Sequence, residues 1–562
     1  MLRWFPALTL GVFLGPVAAG LVGTWLPAFG FLPALGGVGL SLDPWRALFA
    51  TPGLAESIRL TLVTGFAATG LSVGLVLAFL ASCHGSRSVT ALRRMLAPLL
   101  AVPHVAIAIG FAFLVSPSGW LARALSPWAT GWDLPPDIAT APDPWGIALV
   151  CGLVLKETPF LLLMTLAALG QTPADRVLAV ARSLGYGPAT AWFKTVLPLV
   201  WPQIRLPVYA VLAFSLSVVD MALVLAPGTP PPLAPLVLRG FADPDLARLF
   251  TAAAGACLQT VLVVLAIAAL RGGEFLVGML GRRWIAAGGR GRGAVATRRM
   301  AGAALAAVFA VGALAIAGMA LWSVTARWQW PGPLPDSLSI AAWTRHADML
   351  ARPAATTVAV ALAAALVATG LTLGCLENEQ RNGVTPGSRV LWLLYLPLLA
   401  PQIGFLFGAQ VLAISLGIDG GWLALVWGHL LFVLPYVFLA LADPWRRLDP
   451  RYAQGARCLG AGPDRVFWRI KLPLLLRPVL FAAAIGFAVS VGEYLPTVFA
   501  GAGRFATLTT EAVSLAGGGD RRTIGVFAVL QAALPWAGFA LAIGLPAWFY
   551  RDRRGMKSAG TA

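Results

Sequence analysis

Only 11% of the 562 residues are Asp, Glu, Lys or Arg, so each ionisable side chain set inside an apolar run is a candidate for chemistry. Asp220 in FSLSVVDMA and Glu493 in FAVSVGEYL, with Tyr494 beside the latter, stand at matching places in two long apolar stretches. Two carboxylates at equivalent depth form an electronegative patch that attracts a cation. The competing arrangement places both at an external interface, or pairs them with arginines such as Arg239 and Arg504. Glu157 follows Lys156 in another apolar stretch, and neighbours on a helix diverge by about 100°, so a mutual bridge is not required of them. Asp220, Glu493, Tyr494 and Glu157 are therefore the residues expected to line a pathway.

Other chemistries find no support. The five cysteines (Cys83, Cys151, Cys257, Cys375, Cys458) are scattered singly, without a CxxC or a Cys/His cluster at metal-ligand spacing. The four histidines (His84, His104, His346, His429) are equally dispersed and read as packing or interfacial residues. No H-E-x-x-H or G-x-S-x-G occurs, and none of the four lysines (Lys156, Lys194, Lys471, Lys557) follows a glycine as a phosphate-binding loop requires. No catalytic residue, metal site or bound cofactor is expected of this chain.

A second pattern lies in two basic loops. AVARSLGYGPATAWFKTVLP from Ala179 is answered by QGARCLGAGPDRVFWRIKLP from Gln454. Ala181, Arg182, Leu184, Gly185, Gly187, Pro188, Leu197 and Pro198 recur as Ala456, Arg457, Leu459, Gly460, Gly462, Pro463, Leu472 and Pro473. Each copy predicts a short helix, a G-x-G-P turn and a second short helix closed by Leu-Pro, with glycine permitting the left-handed turn and proline opening the second helix. Such a helical hairpin presents a compact knob to a partner.

The elements that must position these residues are membrane spans. Hydrophobic residues make up 59% of the chain, and apolar runs of about 20 residues recur throughout, each long enough to cross about 30 Å of hydrocarbon as a helix. Strand-length alternation is absent, which sets aside an outer-membrane barrel. The first run, free of charge from Trp4 to Leu42, exceeds a signal-peptide core of about 7 to 15 residues and is expected to be a retained helix. Spans are expected at 5–31, 57–81, 95–116, 145–170, 206–226, 249–270, 301–323, 353–376, 391–416, 421–442, 478–500 and 524–549.

Cations sort the loops. One set holds Arg87, Arg93 and Arg94, then Arg176, Arg182, Lys194 and Arg205, then the arginines of 271–299, and finally Arg551, Arg553, Arg554 and Lys557. The alternate loops carry Asp133, Asp137, Asp143, Asp243 and Asp245, with Trp328, Trp330 and Trp343 at the interface. The positive-inside rule then places both termini in the cytoplasm, and it accounts for the net charge of +18 without nucleic acid. GRRWIAAGGRGRGAVATRR from Gly281 reads as a flexible cytoplasmic tether.

The chain repeats itself. ATGLSVG from Ala68 is answered by ATGLTLG from Ala368, and LAVPHVAIAIG ending at Gly110 by LAPQIGFLFG ending at Gly408. Pro159, Phe214, Ser217 and Gln259 match Pro435, Phe487, Ser490 and Gln531. The expected fold is an all-α polytopic membrane protein of about twelve helices in two parallel six-helix repeats. Residues 1–272 form the first half with its loop at 174–205, 273–300 the Gly/Arg-rich linker, and 301–562 the second half with its loop at 443–477.

The paired loops resemble the cytoplasmic signature of ABC importer permeases: E-A-A, three residues, G, nine residues, I-x-L-P. Gly185 and Gly460 sit at the signature glycine, Leu197-Pro198 and Leu472-Pro473 at its end, and Ile470 at the Ile position that Thr195 replaces in the first copy. The leading Glu is replaced by Ala179 and Gln454, and the first Ala by Val180 and Gly455, so the role of that Glu does not transfer. Over its whole length the chain resembles fused double permeases of thiamine, ferric-iron and related uptake systems. KETPF and GEYLPTVFAGAGRFATLTTEAVSL from Gly492 look most like a thiamine-type subgroup. The resemblance implies a bacterial inner-membrane importer permease for a small cationic solute, thiamine-like by preference over ferric iron or a polyamine. It also implies partners: two copies of a cytoplasmic ATPase that bind ATP and receive the two loops, and an external substrate-binding protein. An ion-coupled secondary transporter with two six-helix repeats is the alternative, and the paired signature argues against it.

Overall fold

A computed structural model describes residues 2–551, apart from 87–88, 90–91, 93–95, 97, 292–294, 385–386, 388–392 and 395–396, and without the side chains of 295–297. The starts of the spans expected at 95 and 391, and the cations Arg87, Arg93, Arg94, Arg553, Arg554 and Lys557, lie wholly or partly outside the described residues.

The chain is an all-α polytopic membrane protein. Among the described residues ten helices are long and apolar enough to cross a membrane, or eleven counting Pro463–Leu474 with Leu476–Gly492, which meet at 75°. The first half holds α1 (Phe5–Ala28), α2 (Leu54–Cys83), α3 (His104–Val115), α4 (Ile147–Gly170), α5 (Ala174–Ser183), α6 (Leu197–Ser217), α7 (Asp220–Leu225), α8 (Leu233–Phe241) and α9 (Arg248–Ala286). The second holds α10 (Val295–Ser323), α11 (Ala347–Asn382), α12 (Ile403–Ser415), α13 (Trp422–Arg446), α14 (Pro450–Cys458), α15 (Leu476–Gly492), α16 (Leu495–Gly501), α17 (Leu508–Ala516) and α18 (Arg521–Phe549). Small residues and leucines fill these helices, and their backbone bonds close internally, as lipid demands.

The halves interlock. Helix α1 of the first half packs along α12 of the second, and α10 of the second along α3 of the first. Lipid supplies little hydrophobic drive between helices, so close contact depends on small residues. A Cβ on Gly408 would stand 2.1 Å from the Gly20 carbonyl oxygen, and one on Gly110 2.5 Å from that of Ala315. Gly110 and Gly408 end the two copies of one repeated segment, so the crossing is built twice by the same device.

At the ends of the helices, the Arg123 guanidinium lies 5.1 to 5.8 Å from the rings of Trp322, Trp328 and Trp330. Arg521 donates to the Ser118 carbonyl and to the hydroxyls of Ser116 and Ser118. Cations of either half are thus held by groups of the other, beside the short hairpin of β1 (Thr325–Arg327) and β2 (Ser337–Leu338).

The Gly/Arg-rich linker departs from the expected flexible tether. Residues 273–286 continue α9 through Ala286, and α10 is already helical at Val295. Leu276, Val277, Leu280 and Trp284 recur at helical spacing, and Arg271 pairs with Glu274 one turn on at 2.6 Å, which together outweigh the glycines.

Candidate functional site

Both carboxylates singled out from sequence stand where a helix breaks. Helix α6 stops at Ser217, the chain turns extended at Val218 (φ −62°, ψ 132°), and α7 restarts at Asp220. Helix α15 stops at Gly492, Glu493 is extended (φ −71°, ψ 120°), and α16 restarts at Leu495. The unbroken spans expected at 206–226 and 478–500 are corrected accordingly. In the second half Pro496 has no N–H to continue the helical ladder back to Gly492. In the first half two adjacent valines disfavour helix weakly, and the Asp220 carboxylate takes the Met221 N–H at 2.8 Å, a local bond that competes with the ladder.

A broken helix at membrane depth must have its freed backbone groups satisfied by protein. Gln259, fully buried, donates to the Leu216 carbonyl at 3.0 Å. Its repeat partner Gln531 donates to Thr509 Oγ1 at 2.6 Å, and that hydroxyl donates to the Val491 carbonyl. His429 spans the second break, with Nδ1 2.7 Å from Ser490 Oγ and Nε2 3.0 Å from Thr497 Oγ1. These groups are buried and hold the two irregular turns in place.

Across from the breaks stand the first residues of α3 and the turn before α12, both set by a preceding proline. His104 follows Pro103, and Gln402 follows Pro401 at the equivalent repeat position. Gln402 Nε2 lies 3.5 Å from Glu493 Oε2, and His104 Nε2 lies 3.6 Å from Glu157 Oε1. Asp220 is within electrostatic range of both His104 and Glu493. Tyr494 adjoins Glu493, and the Phe214 ring sits 4.7 Å from that of His104. Asp220, Glu493, Tyr494, His104 and Gln402 are partly exposed, whereas Glu157 is buried near the middle of α4. The four pathway residues expected from sequence thus share one neighbourhood.

The competing pairings do not occur: Arg239 bonds the Gly228 carbonyl, and Arg504 pairs with Asp419. Lys156 donates to the carbonyls of Leu100 and Val102 just before α3, so it and Glu157 serve different partners. His104 and Gln402 were not expected as site residues. The signal for them was the polar residue after each proline of the repeated segment, the only polar side chains in those copies. Chemically, two carboxylates with an imidazole, an amide and a phenol can coordinate and pass a cation. Among the described residues no group of three His, Cys, Asp or Glu is arranged to hold a metal ion.

The two basic loops form matched hairpins. Helix α5 ends in a turn with Gly185 at φ +84°, where Gly185 N–H bonds the Arg182 carbonyl and Tyr186 N–H that of Ala181. Helix α14 ends with Gly460 at φ +81°, where Gly460 N–H bonds Arg457 and Ala461 N–H bonds Ala456. This is the glycine-dependent helix terminus, built twice. Gly187 and Gly462 then precede Pro188 and Pro463, which open the second short helices. Each of those passes through one π turn, Trp192–Val196 or Phe467–Lys471, before Leu197-Pro198 or Leu472-Pro473. Ala181 and Ala456 are buried, Arg182 and Arg457 are exposed, and Leu184 and Leu459 present apolar tips, Leu459 at 90% exposure.

The anchors beneath the hairpins differ. Trp192 and Val196 are buried without remainder among Val76, Phe79, Leu80 and Leu162. In the second half, Lys471 Nζ lies 2.7 Å from Glu377 Oε2 and 2.7 Å from Gln380 Oε1, while Arg381 bonds Glu377 and Asp464 at 2.7 and 2.8 Å. Tyr550 OH donates to the Pro473 carbonyl at 2.7 Å. The acidic run LENEQRN at the end of α11, unremarked in the sequence reading, supplies this network.

Residues 382–549 match the family described as binding-protein-dependent transport system inner membrane component. The chain is similar to the inner membrane ABC transporter permease protein YnjC of Escherichia coli, 35% identical over 525 residues, which cover 92% of this chain and 93% of that one. It is more distantly similar to the spermidine/putrescine transport system permease protein PotC of Haemophilus influenzae, 26% identical over 34% of this chain and 74% of that one. The molybdenum transport system permease protein ModB of Mycobacterium tuberculosis is 30% identical over 30% of this chain and 70% of its own length. The latter two use most of their own length on about a third of this chain, as a fused architecture requires. The chain belongs to the family of ABC importer permeases of the inner membrane.

Proposed function

We propose that this family member is a complete permease in one chain, whose two halves enclose a central pathway for a small cationic solute. The observation that carries the reading is the pair of carboxylates, Asp220 and Glu493, one at each helix break and within electrostatic range of each other. Discontinuous helices meeting near the midplane are the usual frame of a transporter's substrate site. Relatives are named for spermidine/putrescine and for molybdenum transport, so the solute varies among them, and two carboxylates favour a cation here. Within that class a thiamine-like solute is our preference over ferric iron or a polyamine, on the residues KETPF and the segment from Gly492.

The hairpins α5–Pro188 and α14–Pro463 are assigned as the docking knobs for two copies of a cytoplasmic ATPase, which binds and hydrolyses ATP. An external binding protein delivers the solute. Both termini and the linker around Arg290 then face the cytoplasm, in keeping with the arginines of that segment. Uptake into vesicles carrying the permease, its ATPase and its binding protein is the test. ATP-dependent accumulation of a cationic solute, with thiamine competing and molybdate not, is the expected result. Accumulation driven by an ion gradient without the ATPase would establish the secondary-transporter reading instead.

A further inference from the structure

The linker lies on one hairpin. Gly187 N–H, a donor that the start of the second short helix leaves open, bonds the Arg290 carbonyl at 2.9 Å. Lys194 Nζ donates to the Gly289 carbonyl at 2.8 Å and sits 4.7 Å from the Trp284 ring and 5.3 Å from that of Tyr186. A Cβ on Gly185 would lie 3.6 Å from the Arg290 side chain, and one on Gly291 3.0 Å from Thr190 Cβ. Lys194 is buried by this contact.

The second hairpin is bare at the same place among the described residues. A Cβ on Gly460 or Gly462 would meet nothing within 4 Å, and Arg469, the repeat counterpart of Lys194, is exposed. The contact is specific in kind: a main-chain bond, a buried ammonium shared between a carbonyl and two rings, and a helix continued past the membrane to bring Trp284 there.

We propose that residues 284–291 are an integral part of the first docking surface. The copy at the first hairpin meets the turn together with the exposed Arg290, a surface suited to an acidic rim. Among the described residues the second hairpin offers the other copy its turn and the exposed Leu459, with Arg381 bonded to Asp464 beside them. The inference rests on the hairpins being ATPase docking knobs, and its test separates the two readings.

Two measurements on the full permease with its ATPase suffice. In a chain with Cys151 and Cys458, the exposed thiols, changed to serine, Thr190→Cys with Arg290→Cys should be joined by a short bifunctional thiol cross-linker; absence of the bridge overturns linker docking itself. Single cysteines at Leu184→Cys or Leu459→Cys should each cross-link to the ATPase. Failure of both removes the docking assignment and leaves the thiol-bridge result standing. Replacing 284–291 by a Gly/Ser segment of equal length should reduce the cross-link at position 184 at least several-fold and leave that at 459 unchanged. Trp284→Ala should act in the same direction, and high salt should weaken the 184 cross-link more than the 459 one. Equal yields at both positions in the replaced-linker chain would overturn the proposal.

Discussion

Lys471 Nζ rests 2.7 Å from Glu377 Oε2, joining the end of the second hairpin to the C-terminal end of α11 across 94 residues of sequence, with both side chains buried. A buried pair of this kind contributes little net stability over an apolar pair, but removing one partner strands a charge at a cost of about 3 to 5 kcal/mol. Lys471→Met alone is expected to lower the thermal midpoint of the purified permease and loosen the second hairpin. Adding Glu377→Gln should recover part of the loss, since the stranded carboxylate is then gone. Arg381 would lose its partner in the double variant, so recovery should be incomplete. A double variant less stable than either single one would contradict this account.

The interlocked crossing predicts a sharp contrast between glycines. Gly408→Ala places a methyl 2.1 Å from a backbone oxygen of α1, which only a shift of a whole helix can relieve. Gly370→Ala, on α11, meets nothing within 4 Å. The first should cut the yield of folded, detergent-stable protein severely, and the second should leave it unchanged or raise it slightly, since alanine is the better helix former by about 1 kcal/mol. Size-exclusion profiles of the two variants are the check.

How much of this was legible in the sequence depends on what carried the information. The spans, the repeat and the hairpin turns rest on local patterns: apolar runs, recurring glycines, Leu-Pro at fixed spacing. The glycine turns and Leu-Pro ends appear in the fold at the residues that carry them, and ten or eleven of the described helices are long and apolar enough to be spans. The helix breaks were missed because only the second carries a strong local signal, Pro496; around Val218 the local signals, two valines and the Asp220 carboxylate, are weak, and the Gln259 carboxamide that holds the break arrives from α9. The docking of Gly289 and Arg290 on the first hairpin was hidden for the same reason. Glycine and arginine in a row look like a tether, and their partners Gly187 and Lys194 lie about 100 residues back.

The carboxylates at the breaks make a prediction that separates chemistry from folding. Asp220→Asn with Glu493→Gln keeps the shape of both side chains and the Met221 and Gln402 contacts in kind, so insertion and ATPase association should be retained. Uptake of a cationic solute should fall by about ten-fold or more, the equivalent of roughly 1.4 kcal/mol of lost attraction. Single variants should each give a smaller loss, because one carboxylate remains to attract the cation. Wild-type uptake kinetics in the double variant would remove both residues from the pathway.

The hairpin glycines carry the strongest prediction because their geometry is explicit. Gly185 and Gly460 stand at φ +84° and +81°, where a side chain is strained whatever the space around it. Strain of this kind costs on the order of 1 to 3 kcal/mol, too little to unfold helices packed along their length but enough to re-aim a turn whose neighbour, Leu184 or Leu459, is the exposed apolar tip. Gly460→Asp adds its side chain into open space, so the backbone alone should produce the defect. Gly185→Asp also meets Arg290 within ordinary contact distance, and the charge pair formed there should offset part of the strain. Both variants should reach the membrane in normal amounts. Recovery of the ATPase with the purified permease should fall in each, more for Gly460→Asp, and ATP-driven uptake should be lost in the double variant. Gly185→Asn and Gly460→Asn, with a residue that tolerates the left-handed region, should restore much of the binding. Full ATPase recovery and uptake in the double Asp variant would show that these turns are not the coupling surface.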